Sequence, residues 1–447
     1  MNVFDQSSSK SGNPVPVGKN DPQSIDSAEA KPKKRGRPSK RAAKKEELIN
    51  GATALFNARG ISATSIAVIA DVLDLARATI YYYVNNRSEL VFQCYSRTCD
   101  VAAEDLATAS EAESGLDRVL EYVRLSLAPD RAPVAVLSEI DSLEPDKAKI
   151  IHAANDRNIK SLKHFIEQGF DDGSIRHCNS EIVVHAIVGM LAWSQLLPNW
   201  SNEQHGAELR RRTSDAMINL LDQGISTDRS FNFRCHFSVD MFQPKLDNIF
   251  DRKESSSFKI TQLLATASRL FNRNGIEATS LDEIAAVMGL TKGAVYHYLE
   301  DKNDLVSSCY ERSFELYDKF IELSEQSGDN GLEAGMINAH LNIQAQTGDL
   351  APLMPQPGFE ALPKDVLDRL HRRANEQNKT VARLLDRGVE QGHMKPYETR
   401  LLTHICGGAF GWIPKWLPTD TAIQPMQMAD SMCDLILFGL NAGKSPA

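Results

Sequence analysis

The sequence predicts an all-α protein made of two tandem units, each a three-helix head followed by a helical bundle. The first observation is an internal repeat. Phe56–Arg97 and Phe271–Arg312 align without a gap at a separation of 215 positions, with 18 identities in 42 positions. The second is the spacing of apolar residues, which follows the period of a helix in both copies. A repeat of this length indicates a duplicated domain rather than a solenoid of short units.

The composition is that of a soluble globular protein with room for about three domains of ordinary size. The chain has 447 residues, 42% of them hydrophobic and 24% charged. Its seven cysteines form no CxxC pair, and no histidines cluster at metal-ligand spacing. Reduced thiols are therefore expected, and a disulfide framework or a zinc site is not. The sequence predicts no metal and no cofactor.

No targeting or membrane segment is evident in the sequence. The N-terminus has no apolar stretch typical of a signal peptide. The longest apolar run, Ile182–Leu197, is short for a membrane span and contains His185. We therefore expect a cytoplasmic protein with no membrane partner.

Residues 1–43 form a predicted tail, of which 1–30 are too rich in Ser, Pro, Gly and Asn to fold alone. Residues 31–45 hold nine Lys or Arg and no acid, which leaves 41 basic and 59 acidic side chains elsewhere, a net charge of −18. The core Arg35-Gly36-Arg37-Pro38 resembles an AT-hook, in which Arg35 and Arg37 enter the minor groove of A·T-rich DNA. A basic arm that binds any DNA through its charge is the alternative.

The first head, 44–90, is predicted to contain three short helices. Its first helix ends at Gly60, and the hydroxyl of Thr64 precedes the second helix. A tight turn at Asp74 then leads to a third helix, Arg77–Tyr83. The corresponding features of the second head, 256–305, are Gly275, Thr279, Gly289 and Lys292–Tyr298. Two short helices joined by a tight turn form a helix-turn-helix, whose second helix can enter the major groove of double-stranded DNA.

The third helix carries three consecutive tyrosines, Tyr81, Tyr82 and Tyr83, which cannot all face inward on a helical period. Phenol rings can pack against sugars and thymine methyl groups while they donate to phosphate oxygens. Just beyond this helix each copy has a cation, Arg87 or Lys302, where it can meet the DNA backbone. Two aligned copies with this chemistry indicate a protein that binds DNA.

The segments TSIAVIA…RATIYYYVNNRSEL and TSLDEIA…KGAVYHYLEDKNDL resemble the tetracycline-repressor (TetR) family of bacterial transcription regulators. The departures from the family pattern are Asp74 at the turn glycine, Ala76 at the capping threonine, Val84 and Leu299 at a phenylalanine, and Arg87 for lysine. The resemblance implies base-reading contacts from Arg77, Thr79, Tyr81, Tyr82, Lys292, Ala294, Tyr296 and His297. It implies phosphate contacts from Thr64, Thr279, Arg87 and Lys302.

The bodies, 91–224 and 306–442, are predicted to be helical and repeat each other at an offset of 219, so the whole unit is duplicated. By resemblance, such a body dimerises through its late helices and encloses a pocket for a small-molecule effector. The tryptophans there can serve interface packing or ligand stacking, and the histidines can be satisfied core residues or pocket donors. The candidate pocket residues are His185, Trp193, His404 and Trp412.

Residues 225–255 link the two units and mix phenylalanines with polar residues, so they are not a purely flexible linker. We expect one chain to imitate a dimer, with both heads on one face of the DNA about one helical turn apart. A homodimer of tandem chains with four heads is the rival arrangement. Because the two recognition helices differ, we expect an operator with unlike halves.

The predicted function is a sequence-specific, ligand-responsive repressor in the bacterial cytoplasm, associated with the nucleoid. No Ser-His-Asp order, carboxylate pair or phosphate-binding loop is present, so we expect no enzyme and no catalytic residue. The alternative function is a small-molecule- or protein-binding module in which the first helix-turn-helix no longer binds DNA. Asp74, Ala76 and Val84 favour this alternative, whereas the basic tail joined to the first head favours the regulator.

Overall fold

The computed structural model describes residues 40–61, 63–196, 206–246, 248, 250–291, 293, 295, 300–355, 362–418 and 420–443. Within these ranges the regular structure is helical, with two isolated β-bridges, and the all-α prediction is confirmed. Lys44–Ala447 is one compact unit, and Met1–Ala43 is a separate one. Arg35 and Arg37 lie outside the described residues. None of the helices in the described part is long and apolar enough to cross a membrane.

The helices that are described in both halves follow in the same order. The first half contains α1 (Lys40–Arg59), α2 (Ile66–Val72), α3 (Arg77–Tyr81), α4 (Arg87–Ala109), α5 (Gly115–Ser126), α6 (Pro145–Asp172), α7 (Ser180–Ser194) and α8 (Ala207–Gln223). The second half contains α9 (Arg252–Asn274), α10 (Leu281–Val287), α11 (Lys302–Ser327), α12 (Gly331–Thr347), α13 (Lys364–Glu390), α14 (Thr399–Gly411), α15 (Ile413–Trp416) and α16 (Pro425–Phe438).

The head and the body of each half share one long helix. Leu90 of α4 is buried in the first head, and Leu106 of the same helix is buried in the first body. Leu305 and Phe320 of α11 connect the second head and the second body in the same way. The predicted head–body boundaries therefore fall inside continuous helices, which can transmit a displacement of the body to the head.

The two bodies pack together through α7 and α14, which carry Gly189 and Gly408 at equivalent positions. A Cβ on Gly189 would lie 2.7 Å from the Trp412 Cβ and 2.8 Å from the Gly408 carbonyl oxygen. A Cβ on Gly408 would lie 2.4 Å from the Trp193 Cβ and 2.9 Å from the Gly189 carbonyl oxygen. Because neither position has room for a side chain, the two helix backbones approach closely, and each glycine faces the tryptophan of the other half.

The ends of the two bodies exchange hydrogen bonds in reciprocal pairs. The Ile225 amide donates to the Ile436 carbonyl at 2.9 Å, and its counterpart, the Leu440 amide, donates to the Leu221 carbonyl at 2.6 Å. Two further pairs of bonds from a backbone amide to a carbonyl repeat the exchange. In one pair Ser226 donates to Leu437 and Asn441 to Asp222; in the other Arg176 donates to Leu440 and Lys395 to Ile225. Reciprocal contacts of this kind define an isologous, two-fold interface. The two halves of one chain thus pack as the subunits of a symmetric dimer do.

The linker is fixed to the second body. Phe242 packs edge-on against Phe320 of α11, with ring centroids 5.1 Å apart. The Gln344 side chain of α12 donates to the Phe237 carbonyl at 2.9 Å and accepts from the Val239 amide at 3.1 Å. Three of the linker phenylalanines, Phe233, Phe237 and Phe242, therefore belong to an apolar cluster with the second body, whereas Phe250 is 91% exposed.

Candidate nucleic-acid interface and effector cavities

Each head is built around a small apolar core that fixes its helix-turn-helix. Ile69 of α2 and Ile80 of α3 are fully buried, together with Phe56 of α1. The equivalent buried residues of the second head are Ile284, Val295 and Phe271. The inward face of the first recognition helix is fixed by Ile80, and Val295 is buried at the equivalent position of the second head.

Two neighbouring hydroxyls before α2 have different roles. Ser65 caps the helix, because its Oγ accepts from the Val68 amide at 3.2 Å. Thr64 is fully buried, and its hydroxyl donates to the Gly60 carbonyl at 2.7 Å. The second head repeats both bonds: Ser280 with Glu283 (3.1 Å) and Thr279 with Gly275 (2.9 Å). A phosphate cannot reach a buried hydroxyl, so the structure contradicts the phosphate contacts expected of the Thr64 and Thr279 side chains. Both hydroxyls instead close the loop before the second helix of the head.

The turn between α2 and α3 keeps its geometry although Asp74 replaces glycine. Asp74 has a φ of +51° and Gly289 a φ of +65°, a left-handed region that aspartate tolerates better than most residues do. The same backbone hydrogen bond closes both turns: the Leu75 amide donates to the Ala70 carbonyl at 2.9 Å, and the Leu290 amide donates to the Ala285 carbonyl at 2.8 Å. The first head therefore has a regular helix-turn-helix, and its turn does not support a loss of DNA binding.

We expect Asp74→Gly and Ala76→Thr each to stabilise the first head by about 1 kcal/mol. Glycine removes the strain of the left-handed backbone, and threonine adds the side-chain cap that Ala76 does not provide to α3. The double variant should have a higher midpoint in urea unfolding. Gly289→Ala, the opposite change in the second head, should lower the midpoint. A lower midpoint for Asp74→Gly would show that the aspartate has a stabilising partner that outweighs the strain.

Helix α3 presents polar and aromatic side chains to solvent. Tyr81 and Tyr82 are 54% and 62% exposed, Arg77 is exposed, and Thr79 is half-buried. The Tyr82 ring lies edge-on to that of Tyr83, with centroids 5.1 Å apart. Neighbouring aromatic side chains that remain this exposed indicate a binding surface, and a cation beside them suits DNA.

Most of the corresponding surface in the second head lies outside the described residues, including Lys292, Ala294, Tyr296 and His297. Gly293 is exposed and Val295 is fully buried, as Ala78 and Ile80 are at the equivalent positions of α3. What is described of this segment therefore has the same inward and outward faces as the first recognition helix.

A cation lies at the start of each shared helix. Arg87 is exposed, and its Nη1 donates to the Ile61 carbonyl at 3.5 Å. Lys302 is half-buried, and its Nζ donates to the Glu277 carbonyl at 3.2 Å. Burial lowers the pKa of Lys302, and Glu277 opposes this shift. Both cations lie at the edge of the helix-turn-helix, beside a helix N-terminus whose dipole also attracts anions.

Two family descriptions each match the chain twice. Residues 48–94 and 263–309 match "Bacterial regulatory proteins, tetR family", and residues 115–200 and 334–440 match "Tetracyclin repressor-like, C-terminal domain". Together these segments cover well over half of the chain. The chain belongs to the TetR family. It is a DNA-binding transcriptional regulator with two tandem TetR units, and ligand-responsive repression is typical of this family.

Several known proteins are similar to parts of this TetR chain. The transposon Tn10 TetC protein of Escherichia coli is 28% identical over 164 residues, which are 35% of this chain and 80% of TetC. The regulator AcrR of Shigella flexneri is 47% identical over 51 residues, 11% of this chain and 24% of AcrR. The structure of the ketosteroid regulator KstR2 of Mycobacterium tuberculosis aligns with a TM-score of 0.36 at 19% identity, over 41% of this chain and 95% of KstR2.

The first TetR body contains a cavity of about 420 Å³, here called the first cavity. His185 lies on its wall, 8% exposed, with its ring stacked on that of Trp416 at a centroid distance of 4.2 Å. The His185 Nε2 lies 3.3 Å from Glu181 Oε1. Burial lowers the pKa of His185, and Glu181 opposes this shift. In the neutral ring the Nε2, which faces Glu181, donates, and the Nδ1 accepts.

The two TetR bodies exchange tryptophans across their interface. Trp412 of the second half lines the first cavity. Trp193 of the first half lines a second cavity of about 210 Å³ in the second body, here called the second cavity, which also has His404 on its wall. The sequence left interface packing and ligand stacking as alternatives for these tryptophans. The structure places each of them both at the interface and on a cavity wall, so each cavity is completed by the other half.

Charged residues on the first cavity wall are absent from the sequence prediction. Asp105 and Arg131 form an ion pair of 2.7 Å, and burial raises the pKa of Asp105 while Arg131 opposes this shift. Lys415 of α15 reaches the same cavity from the second half. The one signal available in the sequence was a lysine next to Trp416 in an otherwise apolar stretch. Its proximity to the first body depends on packing between the halves, which spacing does not reveal.

Proposed function

We propose that one chain acts as a single-chain TetR dimer whose two heads bind one operator as a repressor. The reciprocal contact of α7 and α14, with Gly189 against Trp412 and Gly408 against Trp193, is the observation that carries this proposal. Each half covers the surface that a TetR subunit needs for dimerisation by these helices. In the described part of the chain these two helix faces are already occupied by each other, so one chain is the functional unit.

In this proposal the exposed residues of α3 read bases in the major groove, and the start of α4 binds the DNA backbone. Arg77 suits a guanine edge, while the tyrosines contact sugars, methyl groups and phosphates. The roles in the first head are carried by Arg77, Thr79, Tyr81, Tyr82 and Arg87. Those in the second head are carried by Lys292, Ala294, Tyr296, His297 and Lys302. Arg35 and Arg37 extend the contact into the minor groove.

The operator follows from the difference between the two heads. An identical homodimer reads two like half-sites, but here Arg77 and Tyr82 of the first head correspond to Lys292 and His297 of the second. The heads therefore prefer different bases. We expect an operator with unlike halves, centred about one helical turn of DNA apart.

Effector control acts through the helices that the heads share with the bodies. Cys99, Ala102 and Asp105 of α4 line the first cavity, and Tyr310, Phe314 and Tyr317 of α11 line the second. A molecule that enters either cavity displaces the helix whose N-terminal end is packed in a head. The distance between the two recognition helices then changes, and the operator is released.

A selection from genomic DNA tests this function. Full-length protein is mixed with fragmented genomic DNA from its host, the retained fragments are sequenced, and the best site is footprinted. Protection over one or two turns with unlike halves is the expected result. A perfect palindrome would mean that two chains each use one head. A lack of enrichment in the absence and in the presence of host metabolites would favour a module that binds no DNA.

A further inference from the structure

The two cavities differ in charge although they arose by duplication. The described wall of the second cavity contains no Asp, Glu, Lys or Arg and is dominated by residues such as Phe314, Met336, Leu353 and Phe410. The described wall of the first cavity contains Asp105, Arg131, Asp156 and Lys415. A homodimer has to offer the same pocket twice, whereas a tandem chain can give each pocket its own chemistry.

Lys415 is the cation that distinguishes the first cavity. Its Nζ donates to the Ser138 carbonyl at 2.9 Å and to the Arg273 carbonyl at 3.1 Å, which leaves one of its three protons for another acceptor. No carboxylate among the described residues forms an ion pair with it. Burial lowers its pKa, and the nearby acids Glu139 and Asp141 oppose this shift. The residue at the equivalent position of the first half is Leu196, so the second cavity has no such cation.

The other charges of the first cavity are already compensated or lie at its rim. Asp105 is paired with Arg131, whose Nη1 also donates to the Leu125 carbonyl. Asp156 is exposed on α6. Lys415 is therefore the cation on this wall that forms no direct ion pair with a described carboxylate, although Glu139 and Asp141 are nearby.

Two more polar atoms of the first cavity lack partners. The indole Nε1 of Trp416 and the Nδ1 of His185 are buried without a hydrogen bond, although their rings are stacked on each other. A buried polar atom without a partner is unfavourable, so a ligand that satisfies it gains affinity. An indole N–H can only donate. The His185 Nε2 faces Glu181, so the Nδ1 of a neutral ring accepts. The ligand that suits this wall therefore carries an acceptor oxygen for the Trp416 indole next to a flat apolar group, and a donor group for the His185 Nδ1.

The second cavity also has unpaired polar atoms, but they carry no net charge. The Trp193 Nε1 and the Asn378 Oδ1 are buried without a hydrogen-bond partner. One can only donate and the other can only accept. An apolar molecule with a neutral hydroxyl, carbonyl or amide group satisfies this wall, whereas an ionised group would have to leave water without an opposite charge.

We propose that the two cavities bind different classes of ligand: an anionic one in the first cavity, held by Lys415 and Trp416, and an uncharged apolar one in the second. This inference rests on the proposed effector control and assigns each cavity its ligand class. It also gives the first cavity a route to the second head, because Arg273 lies at the end of α9. An anion that draws the Lys415 ammonium into the cavity weakens its bond to the Arg273 carbonyl.

A matched pair of fluorescent probes tests the proposal on the full-length protein without DNA. Anilinonaphthalene sulfonate and N-phenylnaphthylamine share one aromatic skeleton and differ in the anionic sulfonate. Val188 and Gly407 occupy equivalent positions and line the first and the second cavity. A Cβ on Gly407 would meet nothing within 4 Å, so Val188→Phe and Gly407→Phe serve as matched changes that fill one cavity each.

We expect Lys415→Met to weaken binding of the anionic probe about tenfold or more and to leave the neutral probe unchanged, since a charged hydrogen bond is lost. Lys415→Arg should restore most of the anionic binding, and Lys364→Met, at an exposed lysine of α13, should change neither probe. Val188→Phe should abolish binding of the anionic probe only, and Gly407→Phe binding of the neutral probe only. Far-ultraviolet circular dichroism of each variant verifies that it is folded.

Three results would overturn the proposal: one cavity-filling variant abolishes binding of both probes, Lys415→Met leaves the affinity for the anionic probe unchanged, or the protein binds neither probe. None of these results tests whether the protein binds an operator. If the protein protects an asymmetric operator but binds both probes in one cavity, the proposed ligand classes are wrong and the proposed function stands. If each probe binds in its expected cavity but no DNA is enriched, the proposed function as a DNA-binding regulator is wrong and the ligand classes stand.

Discussion

Replacing Gly408 with alanine should lower the free energy of unfolding by about 2–3 kcal/mol. The added methyl group would lie 2.4 Å from the Trp193 Cβ and 2.9 Å from the Gly189 carbonyl oxygen, so α7 and α14 must separate. Neither contact is with the far end of a flexible side chain that could turn aside. Separation also opens both cavities, because each has a tryptophan from the opposite half on its wall. Urea unfolding followed by tryptophan fluorescence measures the effect directly.

The neighbouring Gly407 provides a matched control for this prediction. Its added methyl group meets nothing within 4 Å, so Gly407→Ala changes only the helix propensity of α14. That change should raise the free energy of unfolding by about 0.5–1 kcal/mol. Equal effects of the two alanine substitutions would mean that the halves are not packed at this point.

Arg77→Ala should reduce operator affinity by about 1–3 kcal/mol if the arginine contacts a base edge. The residue is exposed in the first turn of α3, on the same helix as the exposed rings of Tyr81 and Tyr82. Because one head contacts one half-site, protection should weaken over one half of the footprint and persist over the other. Titrations on the intact operator and on an operator with that half scrambled provide the measurement. The loss should vanish on the scrambled site.

Comparing Arg87→Ala with Arg77→Ala separates backbone contacts from base contacts, and Arg157→Ala serves as the control. Arg87→Ala should weaken binding to all sequences alike and reduce the salt slope by about 1, as expected for one phosphate contact. Arg157→Ala removes an exposed arginine of α6 in the body and should leave both quantities unchanged. If Arg77→Ala and Arg87→Ala produced the same sequence-independent loss, the assignment of base reading to α3 would be wrong.

The sequence was sufficient for the duplication, the helical class and the helix-turn-helix. These features depend on residues close together in the chain, such as the apolar spacing that buries Ile69 and Ile80. The late apolar helix, α7, was also recognisable, because a helix buried on several sides is apolar on all of them.

Features that depend on contacts between distant segments were not predictable. Thr64 and Ser65 are both good capping residues, and only the folded loop shows that the serine caps α2 while the threonine turns inward. The exchange of Trp193 and Trp412 between cavities depends on two close-packed glycines that spacing does not identify. Lys415 belongs to the second half of the chain, yet it lines the cavity of the first half.

The departure at Asp74 shows how a pattern can mislead. The absence of the usual turn glycine suggests an irregular helix-turn-helix in the first head. With a φ of +51°, however, Asp74 allows the same turn hydrogen bond that forms around Gly289 in the second head. The strain is local and small compared with the burial that holds the head together. A residue that departs from a motif must therefore be judged by the conformation it adopts.

The mass of the protein–operator complex tests the central claim most directly. Native mass spectrometry or analytical ultracentrifugation of the full-length protein on its footprinted operator counts the chains in the complex. One chain of 49.5 kDa on an operator with unlike halves, both protected, is the predicted result. Two chains on the minimal site, with Gly408→Ala leaving the complex unchanged, would contradict a single-chain dimer.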